Sequence, residues 1–285
     1  MRLFRSIAKT LVPMAFVGLA LGTPSPAYAQ TSEDHEVEQI SVEEVGPFRP
    51  TTRPELSATE AEIVERTNAF RKQHDRDPLE SDEQLKQTAQ DFADYMAQND
   101  RYGHSADGRT PSERARAHDY HYCLVAENIA YRFHTTGFKT EELARKAVEG
   151  WRESPGHRRN MLRPHVTETG VAVAQSEKTG VFYLVQLFGR PRSATIPFTV
   201  SNPTDAAVQY SLGDRSYELP PGFTRKHEMC APAELQLDDG GNDSTAQTPS
   251  AGQRFVVTGG DDDLALEPQH DGPATANSRG EEQPQ

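Results

Sequence analysis

The chain has 285 residues, of which only 35% are hydrophobic, and it carries a formal net charge of −13. This length allows one domain of ordinary size and something smaller, and the low hydrophobic content requires the core to be concentrated in part of the chain. The negative charge argues against nucleic acid as a partner and against binding to anionic lipid by charge alone. Cationic partners and bound metal ions stay open.

The first 29 residues have the order of a secretory signal. Arg2, Arg5 and Lys9 precede the apolar run LVPMAFVGLALG and then the small residues AYA, which predicts export and cleavage near Ala29. The apolar run is too short to span a bilayer comfortably, and we expect no transmembrane segment elsewhere. Removal of the three basic residues changes the formal charge from −13 to −16. Periplasm and external medium are equally compatible with this pattern.

Residues 30–56 are polar and acidic and lack periodicity, which predicts a flexible linker. The folded domain is expected to begin at Ser57, because Ser57 and Glu60 have the spacing of a helix capping box. Two amphipathic helices are predicted to follow. The second of them has apolar residues at helical spacing and should support the core: Leu85, Ala89, Phe92 and Met96.

A third helix is predicted to start at Thr110, where a capping residue, a proline and an acid occur in the expected order at Thr110, Pro111 and Glu113. The run EELARKAVEGW is also helical. It ends at Ser154-Pro155-Gly156, because proline cannot continue a helix interior, and Ser154 can cap a new short helix. This break places His157 at the start of the new turn.

Two strands are predicted to follow the short helix that contains His157, and a turn at Glu177–Gly180 joins them. Apolar residues on both faces of the second strand, GVFYLVQLFG, predict that helices cover it on both sides. From about Ile196 the sequence pattern changes to short apolar runs between turn residues, which predicts a small β-rich domain over residues 193–260. Residues 261–285 are expected to be a disordered acidic tail. Within it, Asp261-Asp262-Asp263 favours a solvated turn over a calcium loop.

Five motifs then occur in a telling order: GHS with His104, ENIA with Glu127, W..SPGHRRNML with His157, ETGVAVA with Glu168, and the aromatic strand ending in Gly189. This order resembles the CAP superfamily of cysteine-rich secretory, antigen 5 and pathogenesis-related 1 proteins, also called the SCP domain. It is most similar to the compact bacterial branch, over residues 57–192. The resemblance implies an α+β fold, a three-layer α-β-α sandwich, here with a small C-terminal β-rich appendage.

The resemblance also implies a cleft in which His104 and His157, 53 residues apart, face each other beside Glu127. Glu127 is preceded here by Ala126 and not by the family's glycine. Two imidazoles and a carboxylate suit Zn²⁺ or another divalent cation at about 2.0–2.2 Å per ligand, with Glu127 as a ligand or as the acceptor that orients a histidine.

The sequence departs from the family's pattern at the fourth residue of the cleft, a second glutamate. In animal relatives a second glutamate lies three residues after the helix tryptophan, but that position after Trp151 is Ser154. Glu153 lies one residue earlier, which turns it by about 100° around a helix. Glu168 is the other possible substitute. A three-ligand site with conditional occupancy is therefore the expectation.

Cys123 and Cys230 are the only two cysteines. In an oxidising compartment they are expected to pair, which would close a loop of about a hundred residues and stabilise the fold by roughly 3–5 kcal/mol. The alternative is that Cys123 is a nucleophile paired with a histidine, although nothing around it marks an activated thiolate.

Three functional classes stay open. The first, which we favour, is a secreted monomeric binding or interaction module whose cleft takes a metal, a peptide or protein, or a small apolar ligand; the resemblance implies sterol or lipid binding in some members. The second is a metal-dependent, peptidase-like hydrolase with Glu127 as general base. The third is a structural His/Glu cluster without a ligand. Whether the protein is an enzyme stays open.

Overall fold

The computed structural model describes residues 37–238, 246–260 and 264–269. The signal segment, most of the acidic tail and Asp261–Asp263 lie outside these residues. The described chain forms an α-β lobe, up to Pro191, and a C-terminal β lobe, from Ile196. The elements of the α-β lobe are β1 (Glu38–Gln39), α1 (Val42–Val45), α2 (Leu56–Lys72), β2 (Glu80–Ser81), α3 (Glu83–Asn99), β3 (Arg101–Tyr102), α4 (Pro111–Ala117), β4 (Tyr122–Arg132), α5 (Thr140–Glu153), α6 (Pro155–Met161), β5 (Glu168–Gln175) and β6 (Phe182–Pro191).

The centre of the α-β lobe is a four-stranded sheet with the order β2-β5-β6-β4. Strands β5 and β6 form the predicted antiparallel hairpin, with Val173 opposite Leu184. Strand β4 pairs antiparallel with β6, so that Glu127 lies opposite Leu187, whereas β2 joins β5 in parallel. Strand β4 is therefore at the edge of the sheet.

Each face of this sheet packs against helices, which confirms the predicted three-layer α-β-α sandwich. One hydrophobic cluster joins α3 and α4 to Tyr183, Val185 and Leu187 of β6. The second joins α2, α5 and α6 to Phe182, Leu184 and Phe188 of the same strand. Alternate side chains of β6 thus enter opposite layers, as strand geometry requires. The prediction that this strand is covered on both faces is confirmed.

Strand β4 was not predicted, and it is the longest strand that the structure describes, with 11 residues. Val125 and Ile129 enter the first cluster, and Ala126 and Ala130 enter the second. Glu127 and the neighbouring Asn128 interrupt the apolar pattern although both are buried. Polar residues in the middle of a buried strand hide the period-2 signal on which strand recognition depends.

The described part of the predicted linker, from Val37, is ordered against the lobe. Ile40 is buried and donates its backbone N–H to Asp100, at 2.8 Å. Ser41 caps the short helix α1 through a capping box with Glu44, and the ring of Phe48 lies 6.5 Å from that of Phe182. The linker prediction is wrong for this stretch because a few irregularly spaced apolar residues each reach the core without any helix or strand period.

The helix ends agree with the sequence in part. The capping box of Thr110 and Glu113 is confirmed, as is the break between α5 and α6 with Pro155 at the first position of α6. The predicted cap at Ser57 is wrong. Glu55 caps α2 by accepting the N–H of Ala58 at 2.7 Å. Glu60 is buried and accepts the N–H of Val173 instead, at 3.1 Å.

The described residues of the C-terminal β lobe form two sheets around their own hydrophobic cluster. Their orders are β10-β7-β12-β13 and β11-β8-β9. The strands are β7 (Ile196–Ser201), β8 (Val208–Leu212), β9 (Arg215–Leu219), β10 (Thr224–Met229), β11 (Leu235–Leu237), β12 (Arg254–Thr258) and β13 (Ala265–Gln269).

Strand β13 corrects the prediction that disorder begins at residue 261. It pairs antiparallel with β12, and the buried side chain of Leu266 lies opposite Val257. Its surroundings in the sequence are acidic, and composition alone concealed a strand whose single large apolar residue completes the core of the lobe.

A disulfide joins Cys123, at the start of β4, to Cys230, just after β10, with a Cα–Cα distance of 5.6 Å. The predicted pairing is therefore confirmed, and the alternative of a Cys123 nucleophile is excluded for the oxidised protein. The bond ties the β lobe to the strand that carries Glu127.

Candidate functional site

His104 lies in the loop between β3 and α4, at the edge of the sheet. Its ring nitrogen Nδ1 is 2.7 Å from Oε1 of Glu127. The side chain of His104 is 19% exposed, whereas that of Glu127 is 1% exposed. A carboxylate accepts a hydrogen bond from Nδ1–H, so this contact assigns the neutral ring to the tautomer whose lone pair is on Nε2.

The second oxygen of Glu127 is also occupied. Oε2 accepts a hydrogen bond from Arg114 Nη2 at 2.7 Å. The guanidinium of Arg114 additionally contacts Asp107 Oδ1 at 2.8 Å and lies over the ring of Phe92, 3.5 Å from its centroid. Each carboxylate oxygen of Glu127 therefore accepts one N–H group, Oε1 from the half-buried His104 and Oε2 from the buried Arg114.

Arg114 also holds the loop that carries His104. Its Nη2 donates to the backbone carbonyl of His104 at 3.1 Å, and its Nη1 donates to that of Arg109 at 2.8 Å. One buried side chain on α4 therefore fixes the loop backbone and the carboxylate beneath it at the same time. Arg114 was missed in the sequence, where it is one of two arginines of a polar helical run, and Asp107 was missed with it.

His157 is placed by a different set of contacts, between α6 and β4. The amide of Asn128 donates to the His157 carbonyl at 3.1 Å. The amide of Asn160 donates to the Glu127 carbonyl and to Asn128 Oδ1, each at 3.1 Å. These asparagines fix the short helix on the strand. Asn160 stands in the motif that surrounds His157, and Asn128 is the N of ENIA, but neither was recognised as a supporting residue.

The two rings approach as the resemblance implied. The centroids of His104 and His157 are 6.2 Å apart, and their planes are inclined by 46°. The fold therefore brings together His104, Glu127 and His157, the three residues proposed from the sequence. Imidazole nitrogens are a ligand type that zinc and similar cations accept in proteins.

The two substitute glutamates lie elsewhere. Glu168, at the start of β5, accepts a hydrogen bond from the Tyr120 hydroxyl at 2.5 Å, and burial raises the pKa of its carboxyl. Glu153 ends α5 and is exposed; it borders an open pocket of about 300 Å³ together with Arg132 and Glu149. Among the described residues, no three or more His, Cys, Asp and Glu side chains are grouped to hold a metal ion.

The class of the α-β lobe follows from comparison with known protein families. Residues 64–188 match the family model of the cysteine-rich secretory protein family, CAP. Residues 64–188 are therefore a CAP domain.

The curated relatives extend the likeness without supplying a function. The chain is 32% identical over 136 residues to the uncharacterized protein YkwD of Bacillus subtilis, which covers 47% of this chain and 49% of that protein. It is 29% identical over 128 residues to the uncharacterized membrane protein YlbC of the same organism, covering 44% and 34%. The chain thus spans half or less of the length of these relatives.

Solved structures that are similar to this chain include an extracellular protein containing a SCP domain from Bacillus anthracis. It is 26% identical in sequence, the match covers 47% of this chain and 41% of that chain, and the TM-score is 0.41. A cysteine-rich secretory protein from Staphylococcus aureus is 20% identical, with 50% and 40% covered and a TM-score of 0.37. Among the residues that the structure describes, no helix has the length and apolar character needed to cross a membrane.

Proposed function

We propose that the CAP domain is a binding module and that the His104–His157 pair is its ligand site, able to take up a divalent cation such as Zn²⁺. The observation that carries this proposal is the hydrogen bond from His104 Nδ1 to Glu127, at 2.7 Å. With Nδ1 engaged, Nε2 of His104 is the ring nitrogen that can bind a metal ion. The ring centroids of His104 and His157 are 6.2 Å apart. This centroid separation is compatible with one ion between two imidazoles at a Zn–N distance of about 2.0–2.1 Å.

We expect such an ion to bind weakly, because the proposed site has two imidazole ligands whereas a structural zinc site has four protein ligands. Glu127 would support the site by orienting His104, as carboxylates commonly do for metal-bound histidines. The remaining positions would belong to water or to the donor atoms of a small ligand or peptide. When bound, the ion would supply a Lewis-acid centre for such donors.

Binding is favoured over hydrolysis by the state of Glu127. A general base needs an oxygen that can accept a proton from a water molecule close to the substrate. Both oxygens of Glu127 already accept N–H groups, one from His104 and one from Arg114, and the side chain is 1% exposed. This carboxylate is therefore suited to holding a ring in place and unsuited to activating water.

We also infer that the protein is exported. The N-terminal order of basic, apolar and small residues supports a signal sequence. The disulfide between Cys123 and Cys230 supports an oxidising destination, because such bonds are rare in reducing compartments.

The test is a thermal unfolding series with the mature protein in increasing zinc. A ligand that binds only the folded state at a concentration of 100 times its Kd adds about 2.7 kcal/mol of stability, so we expect the Tm to rise. His157→Ala should abolish this rise. His118→Ala, which removes a surface histidine that pairs with Asp91 at 3.1 Å, should preserve it.

An unchanged Tm in millimolar zinc, with the wild-type protein folded, would contradict the proposal. So would an equal zinc response in the wild type and His157→Ala. If His157→Ala lowers the Tm without zinc and the wild type does not respond to zinc, the histidines have a purely structural role.

A further inference from the structure

Six arginines form a basic surface at the junction of α2, α5, α6 and the end of β6. They are Arg76, Arg152, Arg158, Arg159, Arg163 and Arg190, and we call them the α2–α6 basic surface. Arg76, Arg152 and Arg159 are exposed, and the other three are half-buried. This concentration is unexpected in a chain with a net charge of −13, and the His104–His157 site does not use it.

The backbone carbonyls of the turn after α6 hold this surface together. Arg71, buried beneath it, donates Nη1 to the carbonyls of Met161 and Arg163, at 2.7 and 3.2 Å. Arg76 donates Nε to the carbonyl of Leu162 at 3.2 Å. Carbonyl acceptors position these guanidinium groups without neutralising their charge.

The aromatic ring of Phe70 positions two further arginines of the basic surface. The guanidinium carbons of Arg152 and Arg158 lie 4.6 and 4.9 Å from the centroid of Phe70. Arg158 Nη2 also contacts His74 Nε2 at 3.1 Å. A cation held on an aromatic ring keeps its full charge and its remaining N–H groups.

Arginines elsewhere in the described chain pair with nearby carboxylates, in contrast to those of this surface. Arg66, Arg109 and Arg145 each form an ion pair with an acid no more than four residues away in the sequence. Over the described ranges, no ion pair within 4.0 Å joins a carboxylate to any of the six arginines of the basic surface. Asp75 and Asp77 are close in the chain, but their contacts with Arg76 and Arg71 use backbone carbonyls.

Neighbouring cations also affect each other. Burial lowers the pKa of Arg163, and Arg159 lowers it further. Burial lowers the pKa of His165 too, with further contributions from Arg190 and Arg76. Uncompensated positive charge that is held in place by carbonyls and rings costs free energy in the free protein, and an anionic partner would remove that cost.

We propose that the α2–α6 basic surface binds an extended polyanion that carries phosphate or sulfate groups. Guanidinium groups bind such oxyanions through two parallel hydrogen bonds. Several of them on one surface match a polymer better than a single anion, since each contact releases counterions from the polymer. The local field thus permits a partner that the net charge of the chain argues against.

The experiment measures binding of fluorescein-labelled long-chain polyphosphate, and separately of heparin, to the full chain by anisotropy at several salt concentrations. The test variant is the triple substitution Arg76→Gln, Arg152→Gln, Arg159→Gln. The control is Lys178→Gln, Arg215→Gln, Lys226→Gln, which removes three exposed positive charges elsewhere. Thermal unfolding confirms that both variants are folded.

We expect binding to weaken on the order of tenfold or more in the test variant and little in the control. The slope of log affinity against log salt should fall by about 2–3, roughly one per phosphate contact removed. A response to only one of the two polymers would identify the oxyanion. Equal losses in both variants, tight binding of inorganic phosphate alone, or binding only to phosphatidylglycerol vesicles would overturn the proposal.

Discussion

Arg114 Nη2 lies 2.7 Å from Glu127 Oε2, and both side chains are almost completely buried. Each would be costly to bury without the other, because a charge removed from water needs a partner and further hydrogen bonds. Asp107 supplies a second carboxylate to Arg114, at 2.8 Å. The pair therefore joins the stability of the domain to the orientation of His104.

Replacing Arg114 by Gln should destabilise the protein by about 3–5 kcal/mol, because it removes the buried guanidinium that pairs with Glu127 and leaves Asp107 with only the exposed Arg109. Chemical denaturation followed by fluorescence of Trp151 would measure the change. Arg109→Gln is the matched control, since Arg109 pairs with the same Asp107 but is 51% exposed; it should cost less than about 1 kcal/mol. Equal effects of the two substitutions would refute this account.

Gly170 marks the place where α3 rests directly on β5. A Cβ there would overlap the backbone of Leu85 and Lys86. We expect Gly170→Ala to destabilise the protein by about 1–3 kcal/mol or more, because a helix backbone must move. Gly260→Ala, whose Cβ would meet nothing within 4 Å among the described residues, should be close to neutral. Urea denaturation of both variants tests the difference.

The β lobe should lose stability at mildly acidic pH. His227 is buried, contacts the Tyr210 hydroxyl through Nε2 at 2.6 Å and stacks on Phe198. Burial, and then the charge of Arg225, lower the pKa of His227 to about 4. The unfolded chain binds this proton at about pH 6.5, so the unfolded state takes up more protons between these values and stability falls as pH drops from about 6.5 toward 4.

Thermal unfolding of the wild type and of His227→Gln at about pH 7 and about pH 4.5 would isolate this contribution. The glutamine retains an acceptor for Tyr210 but does not titrate in this range. Burial raises the pKa of Glu60 and Glu168, which acts in the opposite direction in both proteins and therefore cancels in the comparison. An identical pH dependence of the two proteins would contradict the prediction.

The disulfide should stabilise the protein through the unfolded state. Cys123 and Cys230 are separated by 107 residues, and closing a loop of this size contributes about 3–5 kcal/mol in the chain-entropy model. The double substitution Cys123→Ser, Cys230→Ser should lower the urea midpoint by a corresponding amount, and reducing agent should lower it similarly in the wild type. Non-reducing peptide mapping should recover both cysteines in one fragment; two free thiols would refute the pairing.

Local signals in the sequence were sufficient where one short segment determines its own structure. The cap at Thr110 and the break at Pro155 depend on hydrogen bonds and steric limits within a few residues. Local signals gave wrong predictions where a side chain has a partner that is distant in the sequence. Glu60 resembles the end of a capping box, but the structure shows it accepting a hydrogen bond from Val173 of β5.

The sequence by itself indicated the CAP resemblance, most of the longer helices, the β5–β6 hairpin, the pairing of the two cysteines and the three proposed site residues, because motifs and hydrophobic periodicity are written along the chain. Only the tertiary structure showed which groups those residues contact. The role of Glu127 depends on Arg114, and the basic surface depends on turns and helix ends that are far apart in sequence. Hydrogen bonds and charges act through space, so their partners are chosen by packing and not by spacing in the chain.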